Sequence, residues 1–248
     1  MYAMAHGLEI GIYDQENFQC LQKIEISADR DDVEVLYIQH SQDYLKLGVV
    51  LGKRLIKGKI EITELLMYKR DASNFFFLEK QQDFEFDEFT CSQFTFDKND
   101  NNKLLFLTAT EIIRYDYTKD EADEQEESIY TLNNYLLDPP NFGIFNEDQT
   151  ACIVTSINDI IYIDITTGFE LDIDEKENIG DILNILADER FFYVLANKKH
   201  DTLGYYLFMV DKKKPEQEYT YLINWTNKTN IREVDLNFLD DYNDEGEL

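Results

Sequence analysis

The sequence predicts an all-β protein built from repeated antiparallel units, and three observations predict it. Short runs rich in Val, Ile, Thr, Phe and Tyr recur along the 248 residues, separated by polar turn segments. No stretch shows the i, i+3, i+4 spacing of an amphipathic helix. The same strand–turn–strand frame returns at a nearly constant interval. Hydrophobic residues make up 44% of the chain and aromatics 14%, which is too much apolar material for a disordered polymer.

Taken in order, residues 1–27 read as three strands. The second, 8–14, ends in Tyr13-Asp14, and the third carries the charged run Lys23-Ile24-Glu25-Ile26. Four-stranded units follow over 33–80, 84–132, 142–175 and 182–223. In the first of them, strands 33–39, 45–51 and 59–66 are evident, and the third runs on to Tyr68-Lys69. In the second, 104–109 and 111–117 form a pair ending in Tyr115-Asp116. The acidic segment 118–128 has no apolar face and is a loop. Pro139-Pro140 marks an inter-strand loop. The clearest copy lies at 150–171. There, strand 151–156, a tight turn at Asn158-Asp159, strand 160–165 ending in Asp164, the turn Thr166-Thr167-Gly168 and the strand Phe169-Glu170-Leu171 succeed one another. The last unit contains 191–196 and 205–210, ending in Val210-Asp211. One more strand, 231–239, precedes an acidic tail, 240–248.

The third strands end near positions 14, 69, 116, 164 and 211, at steps of about 55, 47, 48 and 47 residues. Their runs, such as Ile112-Ile113, Ile160-Ile161 and Phe191-Phe192-Tyr193-Val194-Leu195, are apolar on consecutive residues. A sheet buried on both faces needs that pattern, as the blade of a β-propeller does. The 150–171 unit resembles strands B, C and D of a WD40 repeat, with Ile163-Asp164 where that family has Trp-Asp. The resemblance implies a β-propeller of four-stranded antiparallel blades over residues 1–239. It would have about five blades, closed when 231–239 joins residues 1–27 as the missing strand A, or belonging to a larger ring. It also implies that Asp14, Asp116, Asp164 and Asp211 are structural hydrogen-bonding residues, with the aspartate lost at Lys69.

Other features exclude classes of function. The formal charge of −28, from 51 acids against 23 bases, opposes a grip on nucleic acid or an anionic membrane surface. It suits a basic protein partner as well as plain solubility. Cys20, Cys91 and Cys152 are far apart, each in an apolar run where a buried free thiol is expected, which fits a reducing compartment. The compartment implied is the cytoplasm, with a nuclear address left open. Residues 1–12 lack the features of a secretory signal, and no apolar run approaches the roughly 18 residues of a membrane span.

No motif carries catalysis. His6, His40 and His200 lack metal-ligand spacing. Asp97-Lys98-Asn99-Asp100-Asn101-Asn102 begins like a calcium loop but has Asn102 where glycine is needed, so it reads as a polar turn. Gly48 and Gly52-Lys53 lack a following helix and read as the two ends of a strand. No catalytic, metal or cofactor-binding residue is expected. The expected role is a scaffold subunit of a hetero-complex that binds protein partners, with acidic loops at 29–32, 120–127 and 175–177. The alternative is a five-bladed glycoside hydrolase whose acids Glu34, Glu85, Glu88 and Asp235 face a central funnel.

Overall fold

A computed structural model describes residues 1–27, 33–54, 60–83, 91–108, 110–120, 125–132, 142–155, 160–173, 179–198, 201–215 and 218–224. Every regular element among them is a strand, and all sheets are antiparallel meanders. Sheet 1 holds β1 (Tyr2–His6), β2 (Glu9–Tyr13) and β3 (Cys20–Glu25). Sheet 2 holds β4 (Glu34–His40), β5 (Lys46–Arg54), β6 (Ile60–Arg70) and β7 (Phe76–Asp83). Sheet 3 holds β8 (Cys91–Asp97), β9 (Asp100–Thr108), β10 (Glu111–Asp116) and β11 (Glu126–Thr131). Sheet 4 holds β12 (Phe142–Phe145), β13 (Ala151–Thr155), β14 (Ile160–Asp164) and β15 (Phe169–Asp172). Sheet 5 holds β16 (Ile179–Ala187), β17 (Phe191–Lys198), β18 (Asp201–Asp211) and β19 (Glu218–Asn224).

The sheets stack in chain order, and the doubly apolar runs explain why. Along β5, Leu47, Val49 and Leu51 pack into a cluster shared with Ile10, Ile12 and Ile24 of sheet 1. Val50, on the other face, joins Phe94, Phe96 and Phe106 of sheet 3. Along β9, Leu104 and Phe106 face sheet 2, while Leu105 and Leu107 join Cys152 and Val154 of sheet 4. Along β13, Ala151 and Ile153 turn to Phe192, Val194 and Phe208 of sheet 5. The period-2 alternation of a strand thus sends neighbouring residues into two different cores. Each fully buried Leu, Ile, Val or Phe side chain contributes about 1.5–3 kcal/mol. The fourth strands β7, β11 and β15, and β3 in sheet 1, are largely exposed, as expected for the charged outermost strands. Consecutive sheets come closest through their first strands, β4 beside β8, β8 beside β12 and β12 beside β16.

Some expectations are corrected. Cys20 is exposed, because it opens the outermost strand of sheet 1, whereas Cys152 is fully buried. Gly48 and Gly52 lie inside β5 and not at its ends. A Cβ on Gly48 would stand 2.5 Å from the Phe94 ring of sheet 3, so glycine is required there by the stacking itself. β6, β9 and β18 are longer than their apolar runs, since hairpin pairing draws flanking polar residues into the ladder. Of the segment 118–128 read as a loop, 121–124 lie outside the described residues, and its end belongs to β11, which begins at Glu126. The strand 231–239, the tail 240–248, the turn at Asn158-Asp159, Pro139-Pro140, His200 and the acidic loops 29–32 and 175–177 lie outside the described residues. Among the described residues no helix is long and apolar enough to cross a membrane.

Candidate functional site

The turns at one end of the stack are built on a common plan. After the third strand of sheets 2 to 5, and after the second of sheet 1, an aspartate side chain turns back on the chain and accepts backbone N–H groups. Asp116 Oδ1 accepts from Thr118 at 3.0 Å, and Asp164 Oδ1 accepts from Thr166 at 2.9 Å and Thr167 at 3.0 Å. Asp211 Oδ1 accepts from Lys213 at 2.9 Å, and its Oδ2 from the Arg190 guanidinium at 3.2 Å. Asp14 Oδ1 accepts from Glu16 at 2.8 Å and Asn17 at 3.1 Å, and these N–H donors hold its carboxyl below the usual range.

Sheet 2 corrects the sequence reading. The aspartate is not lost at Lys69; it stands two residues later at Asp71, whose Oδ1 accepts from Ser73 at 2.8 Å and Phe75 at 3.0 Å. The longer β6 displaced the residue from the expected frame.

A second cap, invisible in the repeat frame, closes the turn after the first strand in sheets 2 to 5. Ser41 Oγ accepts from Lys46 N at 2.9 Å and Asp97 Oδ1 from Asn99 N at 2.8 Å. Asn146 Oδ1 accepts from Thr150 N at 2.9 Å and Asp188 Oδ1 from Phe191 N at 2.6 Å. The segment resembling a calcium loop is therefore a turn. Asp97 is tied to the Arg114 guanidinium at 2.8 Å, and Asp100 already belongs to β9. Among the described residues no group of three or more His, Cys, Asp or Glu is placed to hold a metal.

Glutamines clasp one sheet to the next. Gln22 donates Nε2 to the Phe76 carbonyl at 2.7 Å and accepts the Phe76 N–H at 2.7 Å, joining sheets 1 and 2. Gln149 does the same between sheets 4 and 3, donating to Phe96 O at 2.6 Å and accepting from Lys98 N at 2.8 Å. Gln93 accepts from Phe145 N at 3.0 Å. Nothing in composition or periodicity marks these three residues, because an amide acts here through distant backbone.

At this same turn end, sheets 1 and 2 enclose an open cleft of about 640 Å³, lined by Tyr2, Ala3, Ile38, His40, Tyr44 and Glu147 among others. Glu147 reaches it from the turn between β12 and β13. The His40 ring sits 5.6 Å from those of Tyr44 and Phe76, and both its nitrogens are shielded from solvent. Burial, with the Arg70 charge nearby, lowers its pKa against a weaker opposing effect of the Lys46 backbone. Of the aromatic residues lining the cleft, Tyr44 is 45% exposed, and the Tyr2 ring lies 6.1 Å from that of Phe18, which is 69% exposed.

Of the residues of the glycosidase alternative, Glu34 begins β4, while Glu85, Glu88 and Asp235 lie outside the described residues. His6 lies on the β1–β2 hairpin, apart from His40. No protein-family model matches the chain, and a comparison with curated proteins finds no match.

Proposed function

We propose that the chain is a five-bladed WD40-like β-propeller acting as a non-catalytic protein-interaction platform, a subunit of a larger complex. The observation that carries this is the stack itself: consecutive sheets share their cores face to face, with first strands closest and capped turns at a common end. Such a body holds its turns rigidly for a partner to read.

Ring closure is supported by both ends of the stack. The turn-capping aspartate of sheet 1 lies between β2 and β3, where other sheets have it between their third and fourth strands. By that marker β1 occupies a second-strand position, and no described residue fills the first. Residues 231–239 supply that strand in this proposal. At the other end, sheet 5 is apolar on its outer face as well, through Leu186, Leu195, Leu207 and Met209, with Leu186 61% exposed. A terminal sheet facing water would be polar there. The buried free thiol of Cys152 suits a reducing compartment, the cytoplasm or the nucleus.

The test is affinity capture of the tagged chain from its native lysate at low and high salt. A stoichiometric protein set is expected, with any basic member lost at high salt. Failure to retain a partner at either salt, with hydrolysis of a glycan substrate by the same preparation, would replace this function by the enzymatic one.

A further inference from the structure

His40 ends β4 and lines the turn-end cleft. Its ring is held between those of Tyr44 and Phe76, and both nitrogens are shielded from solvent with no hydrogen-bond partner among the described residues. A neutral imidazole offers one donor and one acceptor, and here both go unused. Such a position is costly for the neutral ring and far more so for a charged one. Tyr44, which packs on the ring and lines the same cleft, holds a φ of 57°, a region that disfavours a bulky side chain.

The charges around the ring oppose protonation where it lies. Arg70, from β6, repels an imidazolium, and so does the Met1 ammonium beside β1, which donates to Gln15 Oε1 at 3.2 Å. From β5, Lys46 acts on the ring through its backbone, while its Nζ donates to Asn102 and Tyr117. The carboxylates on neighbouring turns are engaged. Asp43 accepts from Ser41 Oγ, Leu45 N–H and Asn101 Nδ2, and Asp71 Oδ1 accepts from the N–H groups of Ser73 and Phe75. From β7 comes the Phe76 ring.

One carboxylate stands on the open side. Among the described residues lining the cleft it is that of Glu147, in the turn between β12 and β13. Packed sheets lie roughly 10 Å apart, so a straight stack would leave sheet 4 about 20 Å from sheet 2. The stack therefore curls, and the curl carries Glu147 to the cleft that His40 lines.

We infer that His40 is a pH-operated latch: neutral, its ring stays between Tyr44 and Phe76; protonated, it turns into the cleft and pairs with Glu147, tying sheet 2 to the turn of sheet 4. The inward site rejects the proton, whereas water and a carboxylate accept the charged ring in the cleft, so falling pH shifts the population outward. The turn begins below the ordinary histidine value of about 6.5. It uses room already present, since the cleft is open and holds about 640 Å³. The latch is independent of the platform function proposed above.

The experiment follows nuclear magnetic resonance spectra of the full chain, ¹⁵N-labelled and carrying His6→Gln and His200→Gln so that His40 is the one imidazole, from about pH 7.5 to about pH 5. The His40 ring signals should titrate with a single midpoint below about 6.5, and the backbone amides of Tyr44, Phe76, Asn146 and Gln149 should shift with that midpoint. Glu147→Gln, a substitution at an exposed position, should lower the midpoint by several tenths of a unit and free Asn146 and Gln149 from the titration. His40→Phe should abolish the response in all four amides. The same midpoint with and without the Glu147 carboxylate would overturn the latch. Loss of signal dispersion in all five sheets at the His40 midpoint would also overturn it, since that is unfolding and not a local turn. Amides of sheet 4 that stay fixed while His40 titrates would do the same.

Discussion

His40 illustrates how much one side chain can report. Its imidazole is packed between the rings of Tyr44 and Phe76 with Arg70 close by, so the neutral form is the one the fold accepts. The folded pKa lies below the unfolded value of about 6.5. The unfolded chain therefore binds more protons in the interval between the two, and stability rises with pH there. Stability attributable to this residue is complete above about pH 6.5 and is lost as the pH falls from there toward the folded value. Thermal melts from neutral to mildly acidic pH should show a declining midpoint, and His40→Phe, which keeps a ring in place, should flatten that decline. An unchanged slope in the variant would assign the acid sensitivity elsewhere. The cysteines give a second reading at this scale. Burial pushes the Cys152 thiol far up, while Cys20 is open to solvent. A thiol reagent should modify Cys20 in the native protein and reach Cys152 only on unfolding, as peptide mapping would establish.

Between elements, stability is concentrated in a few polar clasps set among apolar faces. Gln22→Ala would leave the N–H and C=O of Phe76 without their partners in a residue that is itself buried. The expected loss is about 2 kcal/mol, read as a lower denaturant midpoint at unchanged slope. A shift within experimental error would mean that water replaces the amide. These clasps also show where sequence and structure part. The strands were legible because burying both faces of a sheet demands consecutive apolar residues, as in Leu47 to Leu51 and Ala151 to Val154. The capping aspartates were legible because the turn chemistry is local. Asp71 was missed because β6 runs two residues past Tyr68, its last buried apolar residue, and carries the cap with it. Gln22, Gln93 and Gln149 could not be read at all, since their partners lie more than fifty residues away along the chain. Nor could the backbone at Phe18, which holds a φ of 59° in a turn where its N–H donates to Asp14 O, as that of Gly168 donates to Asp164 O.

For the whole molecule, the question is what meets the outer face of sheet 5. If the stack closes, Leu186 is covered there, and Leu186→Lys should lower the unfolding free energy by about 2 kcal/mol or more. If that face stays in water, the same substitution should fall within about 0.5 kcal/mol of the parent. Chemical denaturation decides between them and tests the propeller independently of any partner. The order of the stack has a further consequence for biosynthesis. Each of the four apolar clusters among the described residues is shared by two sheets adjacent in sequence, so none of these four cores must wait for a distant part of the chain. A nascent chain can condense sheet upon sheet as it leaves the ribosome, each arrival covering the face its predecessor left bare. At every stage the growing end then presents one adhesive surface, of the kind Leu186 displays, and the interval between one sheet and the next is when a chaperone would be needed.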